Sequence, residues 1–188
     1  LEIVADEQFT ADSKTDFSTQ LQKMQSAGAE LVFLPFYYTE AALVLTQANT
    51  MGYKPTFFGC DGMDGILDVE NFDKSLAEGL MLLTPFAADA TDEKTVNFVK
   101  AYKDKFGDTP IQFAADAYDA AYIMKAAIEA GNLTPDMAVA DLGTAMEEQM
   151  KSVKYDGLTG SGMTWDEDGF VDKPGSIVVI KDGAYAAM

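Results

Sequence analysis

The chain has 188 residues, 48% hydrophobic and 23% charged, enough for one domain or two small lobes with a real core. Thirty-one acidic residues stand against 13 lysines, with no arginine, for a formal net charge of −18. That balance excludes nucleic acid and anionic membrane surfaces as partners, because phosphates demand clustered cations.

Histidine is absent and Cys60 is the single cysteine. A histidine-based catalytic apparatus, an intrachain disulfide and a thiolate zinc site are therefore all out of reach of this chain alone. No metal, no cofactor and no catalytic residue are expected. No apolar run reaches the roughly 18 residues that span a bilayer. No basic segment followed by an apolar one opens the chain, so no signal segment is read within it. Leu1 leads directly into a strand-like stretch, and the natural chain is expected to extend further toward its N-terminus.

In chain order, residues 2–5 read as a short strand. A loop follows, then a helix in which Phe17, Leu21 and Met24 share one face, with Asp16 as N-cap and Gly28 just past the end. Residues 30–36, ELVFLPF, form a continuous apolar run, expected to be a strand buried on both faces. Thr39 can cap the next helix, whose stripe is Ala41, Val44, Leu45 and Ala48. Residues 55–59 are the next strand. Strand, helix, strand, helix, strand is the signature of a parallel sheet with helices on its faces. Ligands in such sheets sit at the carboxyl ends of the strands. Two stretches hold that position: residues 36–40 (FYYTE) and residues 59–65 (GCDGMDG).

Residues 78–86 read as a further strand leading into a crossing segment. Three helices follow without intervening strands. The first starts near Asp92 and runs to Phe106, the second covers Phe113 to Ala130, and the third has Thr134 as N-cap and Pro135 at its first position. The last part is punctuated by glycine and reads as β-hairpins: GMTW, a turn at DEDG, SIVVIK, and a second turn at DG. The DEDGFVD stretch reads as a turn and not as a calcium loop, since the late glutamate and flanking helices are missing.

Within the two edge stretches an aromatic could wall a ligand, but local sequence does not separate Tyr37 from Tyr38. Asp61 and Asp64 are either turn aspartates in water or a carboxylate offered to an ammonium group. Phe113 opens its helix, where a side chain can face a cleft. Cys60 lacks a histidine to activate it and is not read as a nucleophile.

The run from DFSTQLQKMQSAG through ELVFLPFYYTEAALVLTQANTMGYKPTFFGCDG resembles the second lobe of bacterial branched-chain amino acid binding proteins of ABC transporters. AADAYDAAYIMKAAIEAGN and YDGLTGSGMTWDEDGFV resemble two more segments of that family. The resemblance implies a type I periplasmic-binding fold, α/β with a parallel sheet flanked by helices, present in part. Residues 1–85 would be most of the second lobe. Residues 86–161 would be a helical return belonging to the first lobe, and 162–188 the final crossing back with its β-hairpin. It also implies a non-enzymatic, extracytoplasmic solute-binding component of an importer, periplasmic or lipid-anchored at the cell surface. A small amino acid would be its ligand, branched-chain or otherwise aliphatic, and a membrane permease its partner. A ligand-sensing receptor of the same fold is the alternative. By the same resemblance Asp61 would pair with the ligand's ammonium, while Tyr37 and Phe113 would be aromatic contacts. Asp61 stands where leucine-type members often carry glutamate. In isolation the helical segment would expose apolar faces, so self-association or segment exchange is expected.

Overall fold

The alternation expected over the first sixty residues is present, less its first strand. The computed structural model describes residues 1–188, the side chain of Ala187 excepted. Its opening elements are α1 (Ser18–Ser26), β1 (Leu31–Leu34), α2 (Tyr38–Thr50), β2 (Thr56–Gly59) and β3 (Met81–Thr84). Residues 2–5 form no strand, and Leu1, Ile3 and Val4 are exposed. A short strand-like stretch becomes a strand only where a neighbour completes its hydrogen-bond ladder.

β1, β2 and β3 are parallel, with Leu31 opposite Thr56 and Phe58 opposite Met81. Two later strands complete the sheet. β6 (Ser176–Lys181) runs antiparallel to β3, and β7 (Ala184–Ala187) antiparallel to β6, giving the order β1-β2-β3-β6-β7. The β6–β7 turn follows from its sequence. Asp182 and Gly183 both adopt positive φ, 53° and 73°, the requirement of a type I′ hairpin.

One face of this sheet carries the core. Val32, Leu34, Leu82, Val178 and Ile180 meet Leu21 of α1 and the expected α2 stripe, Ala41, Val44, Leu45 and Ala48. Each large side chain so buried contributes about 1.5–3 kcal/mol. The other face is open: Leu31 and Phe33 keep 45% and 52% of their surface, and Leu83 and Ile177 are exposed. The expectation that residues 30–36 are buried on both faces is therefore overturned. The apolar run is real, but the described helices of this unit cover one side only.

Capping corrects two helix starts. Asp16 caps α1 in function, its carboxylate accepting the Ser18 N–H at 3.0 Å, yet Phe17 is the N-cap residue. Tyr37, not Thr39, precedes the first turn of α2.

The chain falls into two units, Leu1–Thr84 with Ser176–Met188, and Pro85–Gly175. The second contains α3 (Glu93–Phe106), α4 (Gln112–Gly131), α5 (Val139–Met150), β4 (Thr164–Trp165) and β5 (Val171–Asp172). α5 begins later than the Thr-Pro signal predicts. Residues 134–137 instead close a turn, with Met137 N–H donating to Thr134 C=O at 3.2 Å, and Ala138 is the N-cap. Proline after threonine suits the second position of a turn as well as the first turn of a helix. The strand paired across the DEDG turn is β5, not residues 176–181, which pair with β3 and β7. Asp166 shapes that turn by accepting the N–H groups of Asp168 and Phe170 at 3.0 and 2.8 Å. Among the described residues, no group of acids could hold a metal ion.

A buried carboxylate joins α4 to the loop after α5. Asp119 is buried and accepts three hydrogen bonds: Leu158 N–H at 2.9 Å, Thr159 N–H at 2.8 Å and Thr159 Oγ1 at 2.9 Å. Gly157 lies so close to that carboxylate that a Cβ there would collide with it. The two family-like segments of the second unit are thus one structural feature.

Two predictions follow from this unit. Asp119→Ala strands buried donors, each worth about 1–3 kcal/mol. The intact protein should lose about 3 kcal/mol in urea unfolding, and a loss under 1 kcal/mol would show the clamp to be dispensable. Asp92 caps α3 by accepting the Thr95 N–H at 2.9 Å, and that bond holds its pKa below the usual 3.8. A depressed folded pKa gives stability that is present above the unfolded value and lost as pH falls through the folded one. Asp92→Ala should therefore cost about 1 kcal/mol at pH 7, and the cost should shrink as the pH falls through the depressed folded pKa. A cost independent of pH would contradict an ionised cap.

Candidate functional site

The carboxyl ends of β1 and β2 lie side by side because the two strands are parallel and in register, Leu34 opposite Gly59. Each strand continues into a turn. After β1 the chain passes through Pro35 and Phe36 into α2. After β2, Asp61–Met63 form a 3₁₀ turn, with Met63 N–H donating to Cys60 C=O at 3.0 Å and Asp64 N–H to Asp61 C=O at 3.1 Å.

Gly62 brings these turns together. A Cβ placed there would lie 2.9 Å from the carbonyl oxygen of Phe36 and 3.4 Å from Tyr37 Cα. The backbone beside Asp61 therefore runs against the backbone beside Tyr37, an approach that only a residue without a side chain permits. Gly59 acts similarly one turn earlier, leaving room for the Met63 side chain, which is fully buried.

Burial separates residues that sequence could not. Tyr37 keeps 63% of its surface, whereas Tyr38 packs against the core. Asp61 is exposed, whereas Asp64 keeps only 6%. The first unit thus presents one tyrosine and one aspartate of each pair. Phe113 belongs to the second unit, where it is half-buried in the first turn of α4.

Beyond Asp64 the chain turns at Gly65, with φ at 108°, into a second 3₁₀ turn, Ile66–Asp68. The Gly65 N–H donates to the hydroxyl of Tyr185 on β7 at 3.0 Å. Burial first, and then the Asp64 carboxylate, push the Tyr185 phenol well above its usual pKa, so it stays neutral. Burial also raises the Cys60 thiol, which removes thiolate character and agrees with reading it as inert. Gly62 and Tyr185 escaped the sequence reading. The glycine pattern contained the first without saying what it would meet, and nothing local links Tyr185 to a turn 120 residues away.

The fold is that of the type I periplasmic binding proteins. A leucine-binding protein, LivK, from Thermotoga maritima superposes with a TM-score of 0.75 at 26% identity, over 93% of this chain and 48% of that one. The branched-chain amino acid substrate-binding protein LivJ from Streptococcus pneumoniae, solved with isoleucine, superposes with a TM-score of 0.79 at 27% identity, over 98% of this chain and 51% of that one. The chain belongs to the periplasmic binding protein family, whose model matches residues 1–184. A leucine-, isoleucine-, valine-, threonine- and alanine-binding protein of Pseudomonas aeruginosa is 30% identical over 122 residues, 64% of this chain and 32% of its own length. The chain thus spans about half the length of these solved structures and about a third of that relative.

Gly62→Ala should force the two turns apart. Overpacking of this kind costs about 1–3 kcal/mol. The urea midpoint of the intact protein should fall accordingly, and an unchanged midpoint would mean that the close approach is not required.

Proposed function

We propose that this chain is part of an extracytoplasmic solute-binding component of an ABC importer that takes a small aliphatic amino acid, of the branched-chain class, and passes it to a membrane permease. The observation that carries the reading is the apposition of the turn bearing the exposed Asp61 to Tyr37 at the carboxyl ends of two adjacent parallel strands. A solved relative named as a leucine-binding protein, and a branched-chain amino acid substrate-binding protein solved with isoleucine, support the ligand class.

In this reading Asp61 forms a charge-assisted hydrogen bond with the ligand's α-ammonium. Aspartate is shorter than glutamate, so the ammonium must come closer to the β2 edge. Tyr37 supplies a flat apolar wall with a cation–π face. Phe113 is assigned an aromatic contact on the family resemblance alone. In this reading the chain binds its ligand without turning it over, in keeping with relatives that are named as binding proteins.

Asp61→Ala in the intact protein should weaken isoleucine binding in calorimetry by about 2–5 kcal/mol, because the ammonium then loses its partner. Unchanged affinity would sink the assignment of Asp61.

A further inference from the structure

We infer that Tyr185, on the last strand of the chain, is a positioning residue that holds the Asp61 turn in its binding geometry. The inference rests on the proposed role of Asp61 and extends it to a residue 120 positions from Gly65 that is bonded to the same turn region.

The Asp61 turn has two anchors. Upstream, Gly62 abuts the Phe36 carbonyl and Tyr37. Downstream, the Gly65 N–H is held by the Tyr185 hydroxyl at 3.0 Å. Residues 62–67 are all buried, so a donor left unpaired there is costly. Gly65 also has φ at 108°, a conformation that opens a sharp corner between two 3₁₀ turns. Without the hydroxyl, that corner keeps its side-chain packing, through Met63 and Ile66, but loses the bond that fixes its peptide plane. Asp61 lies four residues away, bonded through its own carbonyl to Asp64 N–H. A rotation at the corner is therefore passed along the turn to the carboxylate.

The anchor also has a consequence for order. β7 reaches the sheet only after the chain has passed through the whole second unit, residues 85–175. The turn bearing Asp61 is completed by a residue that follows that excursion.

The test is a double-mutant cycle in the intact protein, read as the isoleucine dissociation constant by calorimetry. Tyr185→Phe keeps the ring and removes the acceptor, and should weaken binding about 3- to 10-fold. On an Asp61→Asn background the same change should have under about 2-fold effect, because the group being positioned is gone. An unchanged constant in Tyr185→Phe, or an equal loss on both backgrounds, overturns the positioning role. Isoleucine binding that survives Asp61→Asn unaltered overturns the ligand reading of Asp61, and this inference with it. Should the phenylalanine variant fail to fold, hydrogen exchange on the unaltered protein decides. The Gly65 amide should be protected and slow further when isoleucine binds, and an amide that exchanges freely in both states refutes the anchor.

Discussion

The closest constraint in the first unit is the meeting of two backbones. Gly62 passes the Phe36 carbonyl at a distance that leaves no space for a Cβ. Parallel pairing of β1 and β2 places both carboxyl ends together, but pairing alone would leave two unrelated turns. The missing side chain turns proximity into contact. Tyr37 and Asp61 then share one surface, although 24 positions separate them in the chain. The helix α2 starts from the same point, so its first turn, the tyrosine and the aspartate turn are fixed by a single approach.

The second unit solves a similar problem with charge. Asp119 reaches from α4 to the loop after α5 and satisfies two backbone amides and a hydroxyl. Again a glycine, Gly157, makes the approach possible. A buried carboxylate is tolerated because it is fully hydrogen-bonded. Among the described residues no buried side-chain nitrogen or oxygen lacks a partner. Both units therefore use glycine beside a polar group to lock loops that no strand holds.

Much of this was legible beforehand, and the failures share one cause. Period and caps placed α2, its buried stripe, α3 and α4 within a residue or two. The Asp-Gly turn before β7 was visible because positive φ at two successive residues leaves few choices. Residues 2–5 had the composition of a strand but found no neighbour. Thr134-Pro135 had the composition of a helix start but formed a turn. Residues 30–36 had the composition of a doubly buried strand, but burial alternates along Leu31–Leu34 and one face stays exposed. In each case the local signal was genuine and the partner was decided elsewhere.

By itself the sequence determined the α/β alternation, the acidic surface, the absence of histidine chemistry and the family to which the chain belongs. These depend on residue type and spacing, which are local quantities. Tertiary structure alone decided which tyrosine faces solvent and which aspartate is buried, because burial depends on neighbours distant in the chain. It alone brought Gly62 against Phe36, Asp119 to Thr159 and Tyr185 to Gly65. A hydrogen bond across 120 residues leaves no periodicity to read; it exists only once the sheet has closed around it.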